Sequence, residues 1–364
     1  MKAKAAVFMG AKKPFEVREF DVVAPPEGYG RCRLIASGVC GTDLHIWRGL
    51  LDAPAPSIIG HEFVGRLDAL NPASGETYGL KEGDAVIADI AAPCGECKLC
   101  RAGDDANCVR MGVTNGGDIG KPPYLYGGYA EVNFTPLANL IKIPDGLDPV
   151  AVSVFACPGP TAMHAFALAR KAGIELDTVE SAVVQGLGPV GLYSLLYLKA
   201  LGIRRVFAIT SGRNEARERI AHEFGAERVF ALSSQAAEAI NAEILRETGG
   251  LGVDLAIEAS GAPSAFAEGL DLLRNRGVYL VPGQYSSSGT VAIHPESITF
   301  KALHIIGSSQ YSFGDVRAYL AFLENIRKQC TKHLADKICE LQNFVAKYSF
   351  YDIHKAFASY AWMF

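Results

Sequence analysis

The sequence predicts an α/β protein of two domains, a β-rich domain and a doubly wound parallel-sheet domain. At 364 residues, the chain is longer than a single hydrophobic core usually serves. Residues 1 to about 150 form short alternating runs broken by glycine, proline and aspartate, without the period of an amphipathic helix. From Val152 onward, strand-like apolar runs alternate with helical patterns, which is typical of a parallel sheet covered by helices.

The domain boundaries follow from this change of pattern. We expect the β-rich domain over residues 1–154, the parallel-sheet domain over 155–303 and a return to the first domain over 304–364. The first domain contains predicted strands at 31–36 and 84–88. The second alternates predicted strands at 182–184, 205–209, 228–230, 253–257, 277–281 and 304–306 with helices that end at 200, 224, 247 and 274. A further helix is expected over 315–329.

Composition excludes several classes of protein. The chain is 49% hydrophobic and 20% charged, with a net charge of -4, so neither nucleic acid nor an anionic membrane is an expected partner. No apolar stretch is long enough to span a bilayer, and no signal peptide is visible. We therefore expect a cytoplasmic protein, in which the nine cysteines favour metal binding or chemistry over disulfides.

Four of the cysteines form a compact cluster, the lobe over residues 94–108. It contains Cys94, Cys97, Cys100 and Cys108. Three cysteines at three-residue spacing fit disulfide geometry poorly, whereas four thiolates at about 2.3 Å from one ion form a closed zinc site. We predict a structural zinc here, with no coordination position open for chemistry.

A second metal site is predicted around Cys40, which lies in a segment that also carries Thr42, Asp43 and His45. His61 and Glu62 follow, and a thiolate with an imidazole is a mixed set suited to zinc. A catalytic zinc needs a third protein ligand and an open position. Spacing alone leaves that third ligand open between Glu62 and Cys157. A surface His–Glu pair is the alternative interpretation.

A glycine-rich turn follows the strand at 182–184 and begins a helix. It contains Gly186, Gly188, Pro189, Val190 and Gly191 in the spacing typical of dinucleotide-binding Rossmann domains. Its glycines permit a tight turn beside a pyrophosphate, whose charge the helix N-terminus stabilises.

The cofactor preference depends on the end of the next strand. An acidic residue there would bind a ribose 2′-hydroxyl, but the position holds Thr210, followed by Ser211 and Arg213. Arg213 can pair with a 2′-phosphate, so the sequence favours NADP over NAD. An arginine in a solvated loop is the alternative.

Taken together, these features resemble the zinc-dependent alcohol dehydrogenases of the medium-chain dehydrogenase/reductase superfamily. The matching motifs are residues 38–45, 60–65, the four-cysteine lobe, 126–131, 157–161 and the Gly186 turn. The resemblance implies a GroES-like β-rich catalytic domain, a six-stranded Rossmann cofactor domain, two zinc ions (one catalytic, one structural) and NAD(P). It also implies a homodimer or homotetramer. One departure is that the C-terminal segment after residue 357 lacks the family's usual glycine- and lysine-containing turn.

The resemblance also implies residue roles. Cys40, His61 and Cys157 look like the three catalytic zinc ligands, and Glu62 looks like a carboxylate that can approach or replace the fourth. Asp43 looks like the acceptor that orients His61. The first and last members of a proton relay, with the cofactor ribose between them, look like Thr42 and His45. Three residues look like nicotinamide neighbours: Thr161, Val281 and Gly283.

The predicted function is hydride transfer between a small-molecule alcohol and NAD(P)+, which interconverts the alcohol with an aldehyde or ketone. The alternatives are a polyol dehydrogenase, a zinc-independent enone or quinone reductase on the same scaffold, and a non-catalytic dinucleotide-binding protein. Cys157 favours simple alcohols over polyols, because polyol relatives often carry Glu at that position. An apolar substrate cleft could be lined by Ile46, Trp47, Tyr124, Leu125 and Tyr126.

Overall fold

The computed structural model describes residues 1–284 and 287–329. The chain divides into two compact units, Met1–Pro160 with the chain from Tyr311, and Thr161–Gln310. These boundaries differ from the predicted ones after residues 154 and 303. The second difference has a clear cause, because the strand at His304–Gly307 pairs in the parallel sheet of the second unit. The atypical C-terminal segment lies outside the described residues.

The first unit is β-rich, as predicted, and its strands pair antiparallel. Its strands are β1 (Lys2–Val7), β2 (Glu16–Asp21), β3 (Tyr29–Gly38), β4 (Glu62–Ala69), β5 (Ala85–Ala88), β6 (Ala91–Ala92), β7 (Gly112–Val113), β8 (Val132–Pro136) and β9 (Leu140–Lys142). Five of them form a sheet in the order β8-β3-β4-β5-β9, while β1 pairs with β2 and β6 with β7. Apolar residues under the sheet, including Phe63, Leu67 and Val86, form one core cluster.

Short helices interrupt these strands. They are α1 (Gly41–Arg48), α2 (Pro72–Tyr78), α3 (Lys98–Arg101) and α4 (Pro149–Ser153); α5 (Pro158–Lys171) leads into the second unit, and α11 (Phe313–Gln329) belongs to the first. The sequence did not predict α1, because eight residues are too few to show a helical period. The predicted return to the first domain is visible in α11, where the Tyr319 hydroxyl donates to the Val152 carbonyl at 2.8 Å.

The second unit has the predicted doubly wound sheet. Its elements are β10 (Ser181–Gln185), α6 (Pro189–Ala200), β11 (Arg205–Thr210), α7 (Glu215–Glu223), β12 (Arg228–Ala231), α8 (Ala237–Glu247), β13 (Val253–Glu258), α9 (Pro263–Leu272), β14 (Leu273–Val281), α10 (Pro295–Lys301) and β15 (His304–Gly307). The six strands are parallel, in the order β12-β11-β10-β13-β14-β15. Every residue of β10 is buried, as expected for a central strand covered on both faces.

One helix end differs from the prediction. Helix α9 stops at Leu272, and β14 begins immediately, although the pattern suggested a helix to residue 274 and a strand from 277. The Lys301 ammonium donates to the carbonyls of Leu270, Asp271 and Leu273 at 2.9, 3.0 and 2.9 Å. This distant cation satisfies the carbonyls at the helix end, so the contact that ends α9 is tertiary and invisible to local pattern.

A buried carboxyl, Asp89, follows β5 in the first unit. It is 1% exposed, and its Oδ1 accepts from the Ala91 amide at 2.9 Å. Its Oδ2 has no hydrogen-bond partner within the described part of the chain. Burial is the main cause that raises the pKa of Asp89 to about 7. The charges of Asp105 and Asp315 raise this pKa further, whereas the hydrogen bond from the Ala91 amide lowers it.

This pKa makes stability depend on pH in a defined direction. The folded protein holds the Asp89 proton more tightly than the unfolded chain does, where the pKa is near 3.8. The resulting stability is complete below the unfolded pKa of 3.8 and is lost progressively as the pH rises from there to about 7. We expect Asp89→Asn, which keeps the acceptor for Ala91, to match wild type near pH 4. It should gain at most about 4 kcal/mol by pH 8.

Urea unfolding at several pH values checks this prediction. A matched control is Asp84→Asn, since Asp84 is also buried but pairs with Lys142 at 2.9 Å. Loss of that pair should destabilise the protein at pH 8. Equal stability of Asp89→Asn and wild type at pH 8 would contradict the assignment.

No helix in the described ranges is long and apolar enough to cross a membrane.

Candidate metal centre and cofactor site

The carboxylate of Asp43 organises the start of the metal centre. Cys40 is the residue before α1, and its amide donates to Asp43 Oδ2 at 2.9 Å. The other oxygen, Asp43 Oδ1, lies 3.4 Å from His61 Nδ1. Asp43 is fully buried. One carboxylate therefore fixes the helix start that presents Cys40 and also fixes the orientation of the His61 ring, leaving Nε2 for a metal.

Four predicted side chains meet at this point. The ligand atoms of Cys40, His61, Glu62 and Cys157 all lie within 4.8 Å of one another. The two sulfurs are 4.0 Å apart. Two sulfurs at about 2.3 Å from a tetrahedral zinc would be about 3.8 Å apart, so the observed spacing fits. Both candidates for the third ligand, Glu62 and Cys157, are thus brought into the group.

Glu62 provides an independent sign that a cation belongs here. Its carboxylate lies against the backbone of Gly38, where a Cβ would clash with Oε2. Its Oε1 is buried and has no hydrogen-bond partner among the described residues. Burial, followed by the charge of Cys40, raises the pKa of Glu62 well above its ordinary value. A carboxyl buried beside thiolates is costly unless a cation compensates it, so the donor set fits zinc.

Two further residues of α1 lie on the face that carries Cys40. Thr42 Oγ1 is 3.8 Å from Cys40 Sγ. His45 follows three residues later, so it shares that face of the helix. Burial, followed by the Arg48 cation, lowers the pKa of His45 below its ordinary value. The imidazole is therefore a neutral proton acceptor near pH 7.

Tyr129 is a site residue whose role the sequence did not indicate. It is 4% exposed, and a Cβ on Gly60 would lie 2.8 Å from its ring. Its amide donates to the Ile59 carbonyl at 3.1 Å, beside a bond of 3.0 Å from Gly128 to Gly60. Tyr129 thus supports the segment that ends in His61. The structure gives Gly60 a positive φ of 94°, a conformation that favours glycine.

The apolar residues predicted to line a substrate cleft differ in burial: Leu125 is fully buried, whereas Trp47 and Tyr124 are partly buried. Leu125 is fully buried in a core cluster, so its predicted place in a cleft is wrong. Trp47 is partly buried, with its ring N–H donating to the Lys13 carbonyl at 2.9 Å. Tyr124 packs on Phe20 with ring centroids 6.1 Å apart.

The lobe cysteines also converge. The sulfurs of Cys94, Cys97, Cys100 and Cys108 lie within 4.8 Å of one another. The pair Cys97 and Cys100 is 3.4 Å apart, which is too long for a disulfide and suits two ligands of one ion. Amides of Cys94 and Cys100 donate to the sulfurs of Cys108 and Cys97 at 3.2 and 3.4 Å. Such N–H···S bonds stabilise thiolates in a zinc site.

The glycine turn lies between β10 and α6, as predicted. Gly186 has a φ of +97°, and a Cβ there would be 2.7 Å from Ser260 backbone atoms. Gly188 is the N-cap of α6, and Pro189 is its first residue. Val190 and Gly191 follow in its first turn, where a Cβ on Gly191 would clash with the Gly186 carbonyl. The turn presents the helix N-terminus as an anion site.

The other predicted cofactor residues are on separate elements of the second unit. Thr210 ends β11, and its hydroxyl donates to the Gly212 carbonyl at 3.3 Å. Ser211 and Arg213 follow, and the exposed Arg213 guanidinium pairs with Glu218 at 3.3 Å. Val281 ends β14, and Gly283 comes two residues later. Thr161 lies in the first turn of α5.

Both parts of the chain are similar to domains of known proteins. Residues 28–145 match the alcohol dehydrogenase GroES-like domain, and residues 189–325 match the zinc-binding dehydrogenase domain. The chain is 32% identical to 5-exo-hydroxycamphor dehydrogenase of Pseudomonas putida over 314 residues, covering 84% of this chain and 83% of that protein. It is 30% identical to L-threonine 3-dehydrogenase of Aeromonas salmonicida over 295 residues, or 79% of each.

A solved structure from Sinorhizobium meliloti 1021, designated a zinc-binding dehydrogenase and bound to NADP, has a TM-score of 0.77 and 25% identity. The match covers 88% of this chain and 89% of that one. The fold and these matches define a two-domain oxidoreductase of the zinc-binding dehydrogenase class. The chain belongs to the zinc-dependent alcohol dehydrogenase family of the medium-chain dehydrogenase/reductase superfamily.

Proposed function

We propose that the protein transfers a hydride between an alcohol and NAD(P)+, with one catalytic and one structural zinc. The observation that carries this proposal is the convergence of Cys40, His61, Glu62 and Cys157 beside Thr42. When bound, the zinc would polarise the substrate oxygen as a Lewis acid, and the nicotinamide would exchange a hydride with the substrate carbon. Cys40, His61 and Cys157 would hold the metal, with Glu62 able to approach it.

The protein's own residues hold and move the proton. The Thr42 hydroxyl can accept the proton that the substrate hydroxyl loses and donate its own towards His45. The half-buried His45 is neutral at pH 7, so it accepts this proton and then releases it to solvent. Asp43 holds both Cys40 and His61 in position during this step, so the relay and the metal ligands share one anchor.

The substrate class we propose is a secondary alcohol. The two curated relatives described above are named for 5-exo-hydroxycamphor and for the 3-hydroxyl of threonine, which are both secondary alcohols. The third-ligand cysteine argues against a polyol. A zinc-independent enone or quinone reductase would have no use for the four-ligand group, and a non-catalytic binder would have no use for Thr42 and His45.

An initial-rate panel tests the function directly. Zinc-replete protein should oxidise secondary and cyclic alcohols faster than polyols, with NAD+ or NADP+, and chelation should abolish the activity. Zinc-independent reduction of enones without alcohol oxidation would favour the reductase alternative. Cofactor binding without any turnover would favour the non-catalytic one.

We propose that the cofactor is NADP rather than NAD. Thr210, Ser211 and Arg213 would recognise its 2′-phosphate. Removing a charged partner of the 2′-phosphate should cost about 10- to 100-fold in affinity. We therefore expect Arg213→Ala to raise the Kd for NADPH by that factor and to leave the Kd for NADH unchanged, as measured by cofactor fluorescence. Arg204→Ala is the control, because Arg204 is also exposed but precedes β11 at its amino end. Equal losses for NADPH and NADH would refute the preference.

We also propose a homodimer or homotetramer in the cytoplasm. Strand β15 is an edge of the parallel sheet, with Ile305 37% exposed and Phe300 of the preceding helix 81% exposed. An edge with such side chains suits pairing with a second copy about a two-fold axis. Light scattering on the purified protein measures the molar mass, and a monomer would refute this.

A further inference from the structure

A fully buried carboxylate lies at the point where the strand order of the parallel sheet reverses. The sheet places β10 beside β13, and ligands of doubly wound sheets bind outside the carboxyl ends of the strands at this point. Glu258 is the last residue of β13 and is 0% exposed. It is therefore close to the expected ligand position but cannot touch a ligand itself.

The turn after β13 is folded onto this carboxylate. Glu258 Oε1 accepts three hydrogen bonds: from the Ser260 amide at 2.8 Å, the Ser260 hydroxyl at 2.6 Å and the Gly261 amide at 2.9 Å. The same Ser260 hydroxyl accepts from the Ala262 amide at 3.1 Å. The conformation of residues 259–262 thus depends on one acceptor.

This turn in turn contacts both neighbouring strand ends. On one side, Gly186 packs closely against the backbone of Ser260. A Cβ on Gly186 would lie 2.7 Å from the Ser260 backbone atoms. On the other side, the Gly283 amide donates to the Glu258 carbonyl at 3.0 Å, and a Cβ on Gly283 would clash with Glu258 Oε2. The side-chain Nε2 of Gln284 also donates to the Ala262 carbonyl at 2.8 Å.

We propose that Glu258 is a positioning residue for the cofactor. Through Ser260 and Gly261 it sets the distance between the Gly186 turn, which would hold the pyrophosphate, and Gly283, which would lie beside the nicotinamide. This inference rests on the proposed function, because it requires a dinucleotide at this edge of the sheet. It assigns a role to a residue that contacts neither metal nor cofactor.

A second serine–carboxylate network lies at the opposite end of β13 and serves as a control. Asp254, near the amino end of β13, accepts from the Ser181 amide and hydroxyl, each at 2.8 Å, and from the Glu180 amide at 3.0 Å. The Ser181 hydroxyl also accepts a backbone amide, that of Asp254, at 3.2 Å. The two serine–carboxylate networks share this hydrogen-bond pattern, and Asp254 also pairs with the Arg274 guanidinium. Only the Glu258 network lies at the ligand edge.

The test compares Ser260→Ala with Ser181→Ala. Both variants lose one hydroxyl from a partly buried network, so both should lower the melting temperature by a similar amount. We expect Ser260→Ala to raise the Kd for NADPH and NADH about tenfold, and Ser181→Ala to leave both within twofold of wild type. The Kd values come from cofactor fluorescence on folded protein, and zinc content should be unchanged in both variants.

Two further variants separate positioning from folding. Glu258→Gln keeps an oxygen acceptor for the three donors and should retain more affinity than Glu258→Ala. If wild type binds neither NADPH nor NADH, the cofactor proposal fails, and this inference fails with it. If wild type binds and the two serine variants have equal Kd values, only the role of Glu258 is overturned.

Discussion

Replacing Cys157 by alanine is expected to remove one zinc ion per chain and to lower turnover by about 10³-fold or more. Loss of a partner that merely orients a ligand costs about 10- to 100-fold, so loss of a ligand should cost more. The Cys157 sulfur lies 4.0 Å from that of Cys40, in the group completed by His61 and Glu62. Without the Cys157 sulfur, only one thiolate remains to neutralise the charge of the zinc ion, and fewer ligands hold the ion.

Elemental analysis and initial rates on the same sample check this prediction. The matched control is Cys32→Ala, because Cys32 is a fully buried free cysteine in the same unit. Burial raises the pKa of Cys32 well above its ordinary value, so it remains a neutral thiol that binds no metal. The control should keep its zinc and its rate. If Cys157→Ala also keeps both, Cys157 is not a ligand, and Glu62 becomes the third ligand instead.

The parts of the site that sequence could predict are those encoded over short distances. The four lobe cysteines lie within fifteen residues, and the glycine turn spans six. Sequence spacing alone therefore predicts that the residues of each motif lie close together. The alternation of strand and helix after Val152 predicted the parallel sheet for the same reason. Each signal is local in the sequence, and the apolar residues of the strands and helices also repeat with a known period.

The features that sequence spacing left open or missed depend on contacts between distant residues. Cys157 is 117 residues from Cys40, so no spacing rule could choose between it and Glu62. Helix α1 is stabilised by the Asp43 carboxylate, whose second oxygen serves His61. The end of α9 depends on Lys301. In each case one side chain satisfies groups from separate parts of the fold, and that is information only the folded chain contains.

Replacing Cys97 by alanine is expected to unfold the lobe and to leave the catalytic group intact. The lobe has little apolar core of its own, since Ala106 and Cys108 are its only buried residues among 94–108. Structural zinc is worth roughly 10–16 kcal/mol in isolated zinc-binding peptides, so loss of one thiolate should cost several kcal/mol locally. The zinc content should fall by one per chain, while Cys40, His61 and Cys157 keep theirs.

Trypsin gives the sharpest measurement, because Lys98 and Arg101 lie inside the lobe. Cleavage there should be faster in Cys97→Ala than in wild type, since local opening exposes those bonds. Arg110→Ala is the control: Arg110 bonds Cys94 Sγ at 3.7 Å and Glu96 at 2.7 Å, yet both ion-pair partners are more than half exposed. An exposed pair contributes little, so this control should resist trypsin like wild type. Faster cleavage in the control would mean that ion pairing, and not a metal, holds the lobe. Equal resistance in all three proteins would mean that the four cysteines hold no zinc.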